Sequence, residues 1–175
     1  NYILYLIKDY GISVSLHPFQ DETLITGSTL MNFNIHDNSY CSYIKSLPNG
    51  HKECVSQQKK IFNQCCQTNE SFCNICYAGV KEYIYLLHNK ESIIGFISVS
   101  GYACDNKEQY ISFISEQFDC NLDSVSREYN KLKANMPDKK RIDTLILPLC
   151  KMLELAYIKE IKDPQAASLN EAICH

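Results

Sequence analysis

The chain of 175 residues is long enough for one domain with a substantial hydrophobic core. Hydrophobic residues make up 45% of it and charged residues 21%, which is typical of a globular protein and excludes a disordered one. The net charge is −3 and the basic residues are dispersed, which excludes strong nucleic-acid binding by these residues themselves. Apolar stretches such as residues 93–99 are too short to span a bilayer, so we expect no membrane partner.

The chain begins with short elements. Residues 2–8 are apolar and predict a short helix or an N-terminal arm. Residues 12–16 alternate at a period of two, which predicts a strand that ends at Pro18. Mixed apolar and β-branched residues at 24–34 predict a second strand or a hairpin.

Two helices should follow. Residues 37–39 form a turn with helix N-cap residues, and a helix is predicted over residues 40–46. The Pro-Asn-Gly sequence at 48–50 ends it, and a longer helix is predicted over residues 51–68. This pair interrupts the strands and forms an αα insertion.

Three more strands are predicted at residues 72–76, 81–87 and 93–100. Residues 88–92 are polar and predict the loop of a hairpin. The resulting fold class is α+β, with an antiparallel sheet covered by helices on one face. Such an arrangement favours a small-molecule pocket between the sheet and the helices.

The last third of the chain is helical. The apolar period changes to 3.6, which predicts helices over residues 107–118, 122–133 and 140–162. Pro148 lies inside the third helix and predicts a kink. A further helix is expected to begin at residue 168.

Cysteines are unusually frequent, with 10 in the chain. Cys73 and Cys76 have C-x2-C spacing, and with Cys41 and Cys54 they could form a four-thiolate site for zinc or an iron–sulfur cluster. Two alternatives stay open: the cysteines are small buried residues under a pocket, or they form disulfides. The helical pattern and the absence of a visible secretion signal favour reduced thiols and a cytoplasmic location.

Aromatic residues cluster in the same region. Tyr77, Tyr83, Tyr85 and Tyr102 could line a pocket with their hydroxyl groups, or they could simply pack on the strands. Tyr83 and Tyr85 should point the same way because alternate residues of a strand share a face. No motif of a known catalytic class is present, so we expect a protein that is not an enzyme.

Residues 40–102 resemble the PocR sensory domain. The resemblance rests on Cys41, Gly50 and Cys54, on the Cys-Tyr-Ala-Gly-Val sequence at 76–80, and on the glycine-bounded strand at 94–101. It implies a ligand-sensing domain with a PAS-like fold over residues 1–162. Domains of this kind precede AraC-type helix-turn-helix modules, and residues 163–175 look like a linker and the start of a truncated module of that type.

The resemblance also implies a small organic ligand, diol-like or similar, near Cys76, Tyr77 and Gly79. The family usually has a histidine where this chain has Tyr77, so a role that needs histidine does not transfer. We expect ligand binding to be relayed through the helix at 140–162, whose apolar stripe could also form a homodimer seam. DNA would be bound only through the missing C-terminal module. The alternative is a redox or metal sensor that uses the cysteines.

Overall fold

The computed structural model describes residues 2–18, 33, 36, 38–90 and 92–162, with the side chains of 158–162 excepted. Within these residues the fold is α+β, with six helices and a four-stranded antiparallel sheet, as predicted. The expected strand or hairpin at 24–34 and the expected linker and helix at 163–175 lie outside the described residues, except for Phe33. None of the described helices combines the length and apolar character that crossing a bilayer requires.

The predicted elements form at the expected places, with small shifts at their ends. The helices are α1 (Tyr2–Tyr10), α2 (Ser39–Ser46), α3 (Gly50–Thr68), α4 (Lys107–Gln117), α5 (Leu122–Tyr129) and α6 (Lys139–Lys162). The strands are β1 (Ser13–Pro18), β2 (Phe72–Ile75), β3 (Val80–Asn89) and β4 (Ser92–Ala103).

The sheet has the order β1-β4-β3-β2, with all neighbours antiparallel. The predicted hairpin between β3 and β4 forms, but its loop is shorter than residues 88–92, because the strands continue until Asn89 pairs directly with Ser92. Lys90 has a φ of 57° in this turn. A positive φ matches the tight hairpin turns that fit the twist of paired strands.

The two faces of the sheet have different characters. The α6 face, as we call the side that packs on α1 and α6, is apolar and carries Val14, Leu16, Ile97 and Val99. The α3 face packs Ile84, Leu86 and Phe96 against Ile61 and Cys65 of α3. The α3 face also carries buried polar residues, which are described below.

Helix ends follow local chemistry. The Asn38 side chain caps α2 by accepting a hydrogen bond from the Cys41 N–H at 2.8 Å, as the N-cap signal predicted. Helix α5 ends at Tyr129 and does not extend to residue 133 as predicted. The reason is a competing pairing: the backbone of Lys133 bonds to Ala103 N at 2.8 Å and to Gly101 O at 3.0 Å, next to β4.

Candidate functional site

A stripe of buried polar side chains crosses the α3 face of the sheet. Ser15 and His17 come from β1, Glu82 from β3, and Ser98 and Ser100 from β4, and none of the five is more than 8% exposed. They occupy alternate strand positions, so their side chains share one face. Buried polar groups cost free energy unless they are paired, so this stripe is where a function would be expected.

Glu82 is the centre of a hydrogen-bonded network. Asn74 Nδ2 donates to Glu82 Oε1 at 2.8 Å, and Ser98 Oγ donates to Glu82 Oε2 at 2.5 Å. His36 Nε2 lies 3.2 Å from Ser98 Oγ. Because the Ser98 proton goes to Glu82, its oxygen accepts from His36, which requires the tautomer with the proton on Nε2.

The histidines beside this network are neutral at neutral pH. Burial lowers the pKa of His17 to about 3, with a further contribution from nearby His36. Burial also lowers the pKa of His36, although the nearby Glu82 carboxylate opposes the effect. The described residues give Glu82 no lysine or arginine partner, and the neutral His36 ring lies close to it, with Nε2 3.7 Å from Glu82 Oε2.

A small pocket opens beside the network, between the sheet and helices α2 and α3. We call it the Cys76 pocket, and its walls include His36, Cys41, Cys54, Cys76, Tyr77 and Glu82. Its volume is about 30 Å³, which is room for about two water molecules. A ligand larger than that would have to separate the helices from the sheet.

The turn before β3 explains why glycine stands at position 79. Gly79 N bonds to Cys76 O at 2.9 Å, and Gly79 has a φ of 76°, where a side chain is strained. A Cβ there would lie 2.5 Å from the Tyr110 ring. Gly79 therefore shapes the turn and does not line the Cys76 pocket.

The predicted ligand residues divide between two places. Cys76 and Tyr77 line the pocket, and Tyr77 OH donates to Gly50 O at 3.1 Å. Tyr83, Tyr85 and Tyr102 lie on the α6 face instead, where they pack with its apolar core. None of the three lines the Cys76 pocket.

The four cysteines of the predicted metal site are not brought together. Cys73 is exposed and pairs with Tyr83, so it faces away from Asn74 and from the pocket. Cys41, Cys54 and Cys76 line the pocket, and of these Cys41 is buried whereas Cys54 and Cys76 are half-buried. In the described part of the chain, no three His, Cys, Asp or Glu side chains are close enough to hold a metal ion.

The buried cysteines are also poor thiolates. Burial raises the pKa of Cys41 to about 11 and the pKa of Cys76 well above its usual value. In these surroundings both groups are protonated thiols at neutral pH, and the thiol is a weaker nucleophile than the thiolate. All nine cysteines within the described ranges are free, so none of them forms a disulfide.

A second and larger cavity lies at the β1–β4 end of the sheet. We call it the α1 cavity, and its volume is about 420 Å³. Its walls come from α1, β1, the start of α2, β4 and residues 131–133 after α5. The sequence interpretation missed this cavity because it forms from segments far apart in the chain.

The sequence interpretation also missed Glu82, Ser98 and His36. A signal for Ser98 was present: Ser98 and Ser100 alternate with Ile97 and Val99 in an otherwise apolar strand. Such alternation on a fully buried strand indicates a polar face within the protein. His36 comes from outside the sheet, so only the tertiary structure could add it.

A family model described as the sensory domain found in PocR matches residues 11–156. The matched range contains all four strands, the stripe and the Cys76 pocket. No curated protein and no solved structure gives a significant match to the chain.

Proposed function

The chain belongs to the family of PocR sensory domains, and from that premise we propose that it senses a small hydroxyl-bearing molecule, diol-like or similar, in the Cys76 pocket. The proposed role is binding without catalysis. Sensing would be relayed to an AraC-type DNA-binding module beyond residue 162, in a homodimer.

The observation that supports this proposal is the Glu82 network at the wall of the pocket. Glu82 is 1% exposed and keeps its carboxylate oxygens directed toward neutral donors only, Ser98 and Asn74. A ligand hydroxyl is another neutral donor, and the amide groups of Gln57 and Gln58 also line the pocket. Vicinal hydroxyls could thus be paired on both sides of the pocket.

The small volume supports a switch. The pocket has room for about two waters, so even a short diol would have to move α2 and α3 away from the sheet. A ligand shifts an equilibrium only by binding one state better than the other. The proposed ligand binds the opened state alone, which gives it the required difference in affinity.

In this proposal the signal passes from the pocket to α6 through β3. Glu82 faces the pocket, and Tyr85 faces α6, where its hydroxyl donates to Asp143 Oδ1 at 2.6 Å. A second bond joins the strand to the helix, from His88 N to Glu154 Oε1 at 3.0 Å. Movement of β3 would therefore change how α6 is held, and α6 leads toward the proposed module.

The proposed dimer would use the outer side of α6. Leu147, Met152 and Leu155 are each more than half exposed on that helix. Apolar side chains at the surface of a signalling helix are suited to pair with a second copy. Sedimentation equilibrium with Leu155→Glu should show a monomer if this seam forms the dimer.

The test is calorimetric titration with 1,2-propanediol, with 1-propanol as the ligand that lacks one hydroxyl. We expect the diol to bind and Glu82→Gln to weaken binding by about tenfold, because a hydrogen bond to a carboxylate is replaced by one to an amide. Glu70→Gln is the matched control, since Glu70 is exposed on the turn after α3. Equal affinity of the Glu82 and Glu70 variants would contradict the proposed site.

A further inference from the structure

The α1 cavity has the size of a ligand site. Its volume of about 420 Å³ falls within the range of about 300 to 1,000 Å³ that small-molecule pockets occupy. It is separate from the Cys76 pocket, with which it shares no lining residue among those described. Its walls divide into a polar, positively charged part and an apolar part.

The charged part is unbalanced. Lys131 and Lys133 both line the cavity. Lys131 is paired with Glu128 at 2.7 Å, whereas Lys133 has no carboxylate within ion-pair distance in the described part of the chain. No Asp or Glu is found among the described lining residues. An anion would therefore meet an unneutralised ammonium group there.

The start of helix α2 adds to this preference. Asn38, Ser39 and Tyr40 line the cavity, and they are the N-cap and first residues of α2. The N-terminal N–H groups of a helix and the positive end of its dipole favour negative charge. The start of a helix does not by itself establish a site, but it favours a negatively charged ligand, as Lys133 does.

An unpartnered buried hydroxyl gives independent evidence for a ligand. Ser100 lines the cavity, is 1% exposed, and its Oγ has no hydrogen-bond partner among the described residues. Leaving such a group unpaired costs about 1–3 kcal/mol. Its equally buried neighbour Ser98 is fully bonded. The difference is explained if a bound molecule accepts the Ser100 proton.

The apolar part of the wall indicates that the ligand also carries a hydrocarbon group. Leu4 and Ile7 of α1 are 43% and 39% exposed and both face the cavity. Leu132, in the segment after α5, adds buried apolar surface to the cavity wall. A hydrocarbon group in the cavity would remove Leu4 and Ile7 from water.

We propose that the α1 cavity binds a monocarboxylate with a short apolar tail. The carboxylate accepts hydrogen bonds from Ser100 Oγ and pairs with Lys133, and the tail contacts Leu4, Ile7 and Leu132. This site differs in place and in ligand charge from the diol site, so either could exist without the other.

The test is calorimetric titration of the protein with butanoate, hexanoate and octanoate, with the amides of the same acids as neutral probes. We expect the acids to bind with an affinity that rises with chain length, and the amides to bind at least about tenfold more weakly because they lack the charge. Lys133→Met and Ser100→Ala should each weaken hexanoate binding by about tenfold. Lys60→Met removes an exposed charge on α3 and should leave it unchanged.

Three results would overturn the proposal: no acid of the series binds, the amides bind as tightly as the acids, or Lys133→Met behaves like Lys60→Met. Folding of Ser100→Ala is not at risk, because its hydroxyl stabilises nothing within the described residues. Binding of 1,2-propanediol in the Lys133→Met variant separates the two sites, since a folded Cys76 pocket should keep its ligand. Glu82→Gln should likewise leave hexanoate binding unchanged.

Discussion

Replacement of Ser98 by alanine should destabilise the protein strongly for so small a change. The Ser98 hydroxyl is completely buried, donates to Glu82 Oε2 at 2.5 Å and lies 3.2 Å from His36 Nε2. Its removal leaves one oxygen of Glu82 and one N–H of His36 without that partner. The lost packing is a single oxygen atom, so the cost comes from the hydrogen bonds.

The magnitude follows from the two groups left behind. Each unpaired buried group costs about 1–3 kcal/mol, so we expect the free energy of unfolding to fall by about 2–6 kcal/mol. Equilibrium unfolding in urea, followed by circular dichroism, measures this difference as a lower midpoint at an unchanged slope. An unchanged slope matters because it shows that the folded and unfolded states keep their compactness.

Ser100→Ala is the matched control. Ser100 lies two positions along β4, on the same face and with 1% exposure, but its hydroxyl has no partner in the described structure. The control should therefore be neutral or slightly stabilising, since an unpaired buried group is removed. If Ser98→Ala costs no more than Ser100→Ala, the reasoning about the network is refuted.

Three further predictions concern the pH dependence of stability, the glycine in the turn before β3, and the hydrogen bond from β3 to α6. The pKa of His17 is about 3 in the folded protein, against an ordinary value of 6.5, so the unfolded chain takes up the proton first and stability falls as the pH drops below about 6.5. Urea unfolding should show a loss of about 2 kcal/mol between pH 8 and pH 5 from this group, which His17→Asn removes. Gly79→Ala should lower stability by at least about 1 kcal/mol in the same assay, because φ is 76° and the new methyl group meets Tyr110. Tyr85→Phe should cost about 1 kcal/mol through the lost bond to Asp143, and a double-mutant cycle with Asp143→Asn should show that the two changes are not additive.

Different results would count against each of these. An unchanged pH response in His17→Asn would mean that other groups, His36 first among them, cause the loss at low pH. A fully stable Gly79→Ala variant would mean that the turn can rearrange without its left-handed residue. Additive effects of Tyr85→Phe and Asp143→Asn would show that the bond between the sheet and α6 does not form in solution.

Local elements were predictable because they depend on local signals. The Asn38 cap, the 3.6-residue period of α6 and the alternation in β1 each lie within a few residues of sequence. The errors arise where distant segments compete. Helix α5 stops early because the Lys133 backbone bonds to β4, and no pattern within residues 122–133 could indicate that.

The site was only partly predictable for the same reason. Cys76 and Tyr77 were identified from a short motif, and the structure places both at the pocket. The C-x2-C spacing does not bring the two side chains together here, because Cys73 lies on a strand and Cys76 in the turn after it. Spacing indicates a shared metal only if the backbone between the ligands is a suitable loop.

The pairing of β3 with β4 is irregular at Glu82, the centre of the polar network. Lys81 pairs with Tyr102 and Tyr83 with Val99, so the single residue Glu82 faces two residues of β4, Ser100 and Gly101. This is a β-bulge, and the φ of 96° at Gly101 is the conformation that glycine supplies in such places.

A bulge re-aims side chains, and bulges are frequent beside functional sites. Here the bulge joins Glu82 of the Cys76 pocket to Ser100 of the α1 cavity across one interruption of the ladder. The ladder is interrupted at that point, so a ligand in either proposed site would act where the sheet resists deformation least. Tyr85, three residues beyond Glu82 on β3, would then carry the displacement to Asp143 of α6, to which its hydroxyl donates a hydrogen bond. The two proposed sites thus have a common physical route to the same helix.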